Sequence, residues 1–469
     1  MKENFKAEAE SLKEYQVPEW FRDAKFGIFI HYGIYAVPAF GDEWYGHWMY
    51  IKDSKAWGGA DIFNHHKDAY GGYQKRGYVD FVPEFLDGLE RFSKGKKAWD
   101  WATLFEEAGA KYVMSVGIHH DAFALYDSDV QLTYNSVKQA NIDYIGELKH
   151  AIKEHGMHFG VSNHFAENRW FFAKEASKES DVWNEELNEM YGAYNTLDGH
   201  VQKWYDISME IIEKYHPELI YYDFDLKNPE YIPVKRKMLA NYYNMAETWD
   251  ENAGVICNYK QEAFEDGEAM LEVERGSLSE IREMPWQTCT SIGAKSWGYV
   301  EDEVYRDSRE MLCALVDIVS KNGNLLLNVG PRADGTIPKE AQKTLLEMGK
   351  WLKENGRAIY GSRPWITYGE GPNSHKAKGE FSDDFKYTAE DFRFTASKDG
   401  KRVYLFVMDA PKATTVCVKS LKSCAKQINE IKLMNGEILE WKEQIKDVVI
   451  YLPETTWMRK IGVIEITLQ

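Results

Sequence analysis

The side chains best suited to chemistry in this 469-residue chain stand where short apolar runs end. His31 closes FGIFIHYG; His119, His120 and Asp121 close YVMSVGIHHD; His164 closes HFGVSNH. Asp223 closes LIYYDFD, with Asp225 two positions on, and Glu272 and Glu274 end AMLEVERG. Such a set suits two kinds of work. Paired carboxyl groups can split a glycosidic bond through a covalent intermediate. One attacks the anomeric carbon, while the other protonates the leaving oxygen and later activates water, which requires a separation of about 5–5.5 Å. Histidines and carboxylates at strand ends can instead hold a divalent metal. Several titratable groups at equivalent positions are more than the polarity that merely terminates a strand.

The runs themselves predict what positions these groups. Eight of them recur before about residue 330, the rest being GVICNY from Gly254, TCTSIG from Thr288 and GNLLLNVGP from Gly323. They are continuously apolar rather than alternating, as strands buried on both faces are. Amphipathic segments such as NIDYIGELKHAIKEHG and WYDISMEIIEKYH lie between them. This is the pattern of a (β/α)8 TIM-like barrel, whose strand C-termini meet on one rim and carry the active site. The segment from Gly41 to about Phe92 is rich in Gly and aromatics with little periodicity, and reads as a structureless insertion shaping a pocket. Beyond Pro372 the period changes to two, in DFRFTAS, RVYLFVMD, VVIYLP and GVIEITL, and Asn435-Gly436 is a type I′ hairpin signal. The expected organisation is a catalytic barrel over 1–370 and an antiparallel β-sandwich over 371–469.

A formal charge of −18 disfavours nucleic acid and anionic membrane as partners and suits a neutral substrate. The 16 Trp and 29 Tyr suit a sugar pocket, where flat rings meet C–H faces, although most must pack in the core. Five cysteines without a CxxC pair read as buried free thiols. The chain starts MKENFKAEAESLKEYQ, without an apolar signal region, so a cytoplasmic location is expected. Oligomeric state is left open, a homo-oligomer included.

Several long motifs resemble the α-L-fucosidases, glycoside hydrolase family 29. WFRDAKFGIFIHYGIYAVPAFGDEWY is similar to that family's first strand and loop, and KYVMSVGIHHDAFALYDS to its KHHDGF segment. PELIYYDFD is similar to the strand bearing its nucleophile; PWQTCTSIGAKSWGY and VSKNGNLLLNVGPRADGTIP are similar to its last barrel segments. The resemblance covers roughly residues 15 to 365. It implies a retaining exo-glycosidase that removes terminal α-linked L-fucose from a fucosylated glycan, with Asp223 as nucleophile and no metal or other cofactor. By the same resemblance His31, His119 and His120 hold sugar hydroxyls, Glu43 and Trp44 of DEWY bind the sugar, and Trp286 of PWQ lines the pocket.

The departures from the family pattern are specific. Gln287 stands where many members have Glu and cannot transfer a proton; several members carry the acid/base about a dozen residues earlier, so the resemblance implies that LEVERG supplies it: Glu274, with Glu272 on the same strand face as the alternative. Ala122 replaces the glycine of KHHDGF. Lys260 replaces an arginine after the fifth strand, and GVSNHFAENRW brings His164, Glu167 and Trp170 toward the rim. Two other functions stay open: an exo-glycosidase for a related L-sugar such as an α-L-galactoside, and a catalytically weak fucose-binding barrel.

Overall fold

The computed structural model describes residues 4–52, 54, 59–173, 176–249, 253–373, 379–383, 385–411, 413–453 and 461–469. The eight apolar runs form eight parallel strands in chain order: β1 (Phe26–Ile30), β2 (Tyr112–Ile118), β3 (His158–Asn163), β4 (Leu219–Tyr222), β5 (Ile256–Lys260), β6 (Met270–Glu274), β7 (Trp286–Ser291) and β8 (Gly323–Val329). Pairing of β8 with β1, Leu326 opposite Gly27, closes them into a barrel. Every residue of β1, β2, β4, β5, β7 and β8 is buried, because helices cover the outside and side chains fill the inside. Gly27 is required by that filling: a Cβ there would come within 2.3 Å of the Tyr112 ring. The Tyr112 hydroxyl crosses the barrel to donate to Gln287 Oε1 at 2.8 Å.

Helices Tyr144–Glu154, Leu197–Tyr215, Ile232–Ala246 and Ser308–Ser320 fill the connections after β2, β3, β4 and β7. The connections after β5 and β6 contain no helix, so the barrel is not a full eightfold repeat. Residues 41–92 are not the structureless insertion their composition suggests. Helices Gly59–Tyr70 and Val82–Lys94 lie there, the second burying Phe85, Leu89 and Phe92 at helical spacing. Neighbouring Gly and aromatic residues had obscured that period.

The C-terminal region folds as two antiparallel sheets. One has the order β13-β16-β11-β10-β9, with β9 (Arg363–Glu370), β10 (Phe392–Ala396), β11 (Arg402–Val407), β13 (Ile428–Leu433) and β16 (Gly462–Leu468); the other is β12 (Thr415–Val418), β15 (Val448–Tyr451) and β14 (Trp441–Glu443). The sheet therefore begins with β9, ahead of residue 371. RPWITYGE does not alternate in burial, which hid it as a strand. The period-two pattern of β11 serves two cores at once: Tyr404 and Phe406 face the barrel, while Val403, Leu405 and Val407 face the smaller sheet. The Asn435-Gly436 turn is a three-residue loop rather than type I′. Leu433 N donates to Glu437 O and only Gly436 has positive φ, at 94°. Four of the cysteines are buried, but Cys417 is exposed.

The two regions are joined by a buried ionic knot. Arg393 Nε of β10 donates to Asp317 Oδ1 at 2.6 Å, and Lys321 Nζ donates to Asp317 Oδ2 at 2.7 Å. Burial pushes the Asp317 carboxyl up, but Lys321 and Arg393 outweigh it and hold the pKa well below the ordinary value. Among the described residues, no helix is long and apolar enough to cross a membrane.

Candidate active site

A cavity of about 670 Å³ opens at the C-terminal ends of the barrel strands. Each chemical group enters it from the last residue of a strand or the first ones after it. His31 follows β1, His119 and His120 follow β2, His164 follows β3, Asp223 follows β4, Lys260 ends β5 and Glu274 ends β6. The parallel register of a closed barrel brings these seven to one rim although they span more than half the chain.

Lys260 ties the carboxylates together. Its Nζ lies 2.5 Å from Asp223 Oδ1 and 2.7 Å from Glu274 Oε2. Two such contacts to one nitrogen cap the separation of those oxygens at about 5.2 Å. Burial opposes the charge on Lys260, but Asp223 and Glu274 raise its pKa well above the ordinary value. Burial likewise opposes the Asp223 carboxylate. Lys260 and His164 more than offset it, holding the group well below the ordinary range. His164 Nδ1 is 3.1 Å and His120 Nε2 3.5 Å from Asp223 Oδ2. Lys260 is thus committed to the two carboxylates rather than reaching for a sugar alone.

The histidines are arranged to accept hydrogen bonds. Asn328 Nδ2 donates to Ser291 Oγ and Trp297 O, which leaves its Oδ1 to accept from His31 Nδ1 at 2.7 Å. His120 Nδ1 donates to His164 O at 2.9 Å. In both rings Nε2 is then the unprotonated nitrogen, suited to accept from a hydroxyl. Burial keeps them neutral: it lowers His31 and His119 well below the ordinary imidazole value and His120 to about 3. His119 Nδ1 is buried without a hydrogen-bond partner among the described residues. Glu43 Oε2 accepts from Ser296 Oγ at 2.8 Å and Trp297 N at 2.9 Å, and Trp44 lies with its ring 5.1 Å from that of His120. Both line the cavity.

Three expectations change. Trp286 does not line the pocket: it opens β7 at the barrel floor, fully buried, with Nε1 donating to Lys321 O. The pocket tryptophan is Trp297, half-buried, with its ring 5.3 Å from that of His31. It lies in the same motif, after the strand rather than before it. Glu167 and Trp170 do not reach this cavity; Trp170 lines a separate one of about 280 Å³ with Arg169, His200 and Asp225. Asp121 also stays outside. It accepts from Tyr78 Oη and Phe123 N, fixing the turn after β2, and burial raises its pKa to about 6. That turn puts Ala122 at φ 61°, which explains the glycine of the related motif and costs Ala about 1–2 kcal/mol.

Glu272 and Glu274 share a strand face but not a level. Glu274 lines the cavity. Glu272 lies beneath it, its oxygens engaged by Cys289 N at 2.6 Å and Tyr221 Oη at 3.2 Å, and burial raises its pKa to about 7. The raised pKa would suit an acid, but access to the reacting atom comes first, and Glu272 lacks it. Gln287 is deeper still, at the level of Tyr112.

Among the described residues two trios could hold a metal ion: His31, His119 and His164, and His120, His164 and Asp223, with potential ligand atoms within 4.8 Å of one another in each. A carboxylate held ionised beside a second carboxylate, with neutral imidazoles around them, also provides a nucleophile, an acid and hydroxyl acceptors without one.

The chain is similar to known proteins over nearly its whole length. Residues 1–357 match the family model for α-L-fucosidase, and residues 386–466 that for the α-L-fucosidase C-terminal domain. The chain is 33% identical to an α-L-fucosidase of Dictyostelium discoideum over 362 residues, covering 74% of this chain and 72% of that one. It is 29% identical to the tissue α-L-fucosidase of Rattus norvegicus over 460 residues, 95% of this chain and 87% of the other. The solved structure of Thermotoga maritima α-fucosidase in complex with fucose superposes with a TM-score of 0.75 at 28% identity, over 99% of this chain and 100% of that one.

Proposed function

The chain belongs to the α-L-fucosidase family of glycoside hydrolases, and from that premise we propose that it releases terminal α-linked L-fucose with retention of configuration, by two displacements at the anomeric carbon. The observation that carries the mechanism is the cap of about 5.2 Å on the distance between an Asp223 and a Glu274 oxygen. That upper bound is compatible with the ~5–5.5 Å of retaining glycosidases and lies below the ~6.5–9.5 Å that admits a water in inverting ones.

In the first step Asp223 Oδ attacks C1, the glycosidic C–O bond breaks, and the leaving oxygen takes a proton from Glu274. In the second, water attacks C1 and gives its proton to Glu274, and the ester bond to Asp223 breaks, regenerating the carboxylate. Lys260 serves both steps from one position. While Glu274 carries the proton, the ammonium pairs with ionised Asp223. Once Asp223 is esterified and uncharged, the same ammonium stabilises the Glu274 carboxylate that acts as base. The neutral imidazoles of His31, His119 and His120 accept from sugar hydroxyls, with Glu43, Trp44 and Trp297 closing the fucose site.

A 2-deoxy-2-fluoro-L-fucosyl inactivator slows the second step and should leave its sugar on the peptide carrying Asp223, seen as a mass increase on digestion. A label on any other peptide would overturn the assignment. Glu274→Ala should cut kcat/KM on natural fucosyl glycans by about 10²–10⁴-fold. An aryl fucoside with a good leaving group, which needs little protonation, should lose about a hundredfold less in this step. Equal losses on both substrates would move the acid role to Glu272.

A further inference from the structure

The acid also marks where the leaving group emerges, and a segment from outside the barrel is pinned beside it. Residues 379–383 come from the stretch between β9 and β10, yet Phe381 N donates to Glu274 O at 2.9 Å and Gly379 N to Ser277 O at 2.8 Å. The connection after β6 has no helix, and Gly276 lets the segment approach closely: a Cβ there would meet Gly379 O at 1.9 Å. Beyond Phe381, Asp383 Oδ2 accepts from Arg306 Nη1 at 2.6 Å and from Thr290 Oγ1 at 2.7 Å. Anchored at both ends, Phe381 holds φ 54°, a conformation that is an outlier for an aromatic residue. Its ring lines the active-site cavity with 52% of the residue's surface exposed. Strained backbone that displays a large apolar ring at a cavity mouth, rather than burying it, points to a binding role.

We propose that Phe381 is the platform for the acceptor sugar, the hexopyranose from which the fucosyl group is cleaved, whose C–H face lies against the phenyl ring. The inference rests on the fucosidase reading of the site and adds the residue that recognises the other side of the bond. The second domain region thereby contributes to substrate choice. Fucose itself, deeper among the histidines, does not touch this ring.

The test uses two substrates. α-L-Fucosyl fluoride has no acceptor ring, whereas a fucosyl disaccharide has one; the disaccharide is whichever of the α1,2-, α1,3-, α1,4- and α1,6-linked forms the unaltered enzyme cleaves fastest. The readout is the ratio of kcat/KM for the disaccharide to that for the fluoride. Phe381→Ala should lower this ratio about tenfold, mainly through KM, and Phe381→Trp should restore it. Phe381 is half exposed, so neither change opens a cavity in the core, and a ratio within twofold of the original in Phe381→Ala overturns the platform. If the unaltered enzyme cleaves neither substrate, the fucosidase reading has failed and the platform falls with it, an outcome distinct from an unchanged ratio.

Discussion

Asp223→Ala is expected to lower turnover of every α-L-fucoside by at least about 10⁴-fold while the protein stays folded. Among the described residues Asp223 is the one carboxylate paired with Lys260, His164 and His120 at once. Glu274 is 2.7 Å from the same ammonium but belongs to the opposite partner of the reaction. Added azide should enter the vacated space and attack C1 from the face that Asp223 used, with Glu274 still protonating the leaving oxygen. The product is then a β-L-fucosyl azide of inverted configuration, which NMR of the product distinguishes from returned α-fucose. Free fucose released at near-normal rate would remove Asp223 from the mechanism.

Lys260→Met should also be damaging, by a different route and to a smaller extent. It leaves two buried carboxylates facing each other without their shared cation, and breaking a buried pair of this kind costs about 3–5 kcal/mol of stability. The effect on pH dependence has a definite sign. Asp223 is held below its ordinary pKa, so it is ionised, and its interactions stabilise the fold, at all pH values above the unfolded value near 3.9. That contribution is lost only as pH falls through the lower native pKa. Without Lys260 the native pKa rises, so the acid limb of the kcat/KM profile should move to higher pH by one unit or more, with kcat/KM lower by about 10²–10³-fold at neutral pH. Lys260→Arg keeps a charge in the gap and should return the limb toward its original position. An unmoved acid limb in Lys260→Met would mean that the ammonium does not set the ionisation of Asp223. Denaturant unfolding separates the stability loss from the kinetic one.

Most of the barrel was legible because strands buried on both faces leave continuous apolar runs, and all eight runs became strands. The site was legible for the same reason: a titratable residue just past such a run lands on the rim, as His31, His119, His120, His164, Asp223 and Glu274 do. The same geometric rule separates Trp286 from Trp297. The former opens its strand and lies at the floor, the latter follows it, and the motif alone does not tell them apart. Period two placed Glu272 and Glu274 on one face, but it carries no information on depth, which is what distinguishes them. Phe381 had no local signal at all. Its position depends on contacts with Glu274, Thr290 and Arg306 that lie about 75 to 110 residues away in the chain. The helices between residues 41 and 92 were hidden by the Gly and aromatic residues around them, although Phe85, Leu89 and Phe92 do recur at helical spacing.

The strand that follows all its neighbours in sequence, β16, lies between β13 and β11 inside the larger sheet. Until this seven-residue strand is in place, β11 has one unpaired edge and β13 has no partner strand at all. Only then is the sheet that carries Arg393 and covers the helix bearing Asp317 complete. Loss of β16 would therefore unpair β13 altogether and leave the barrel without the complete wall it leans on.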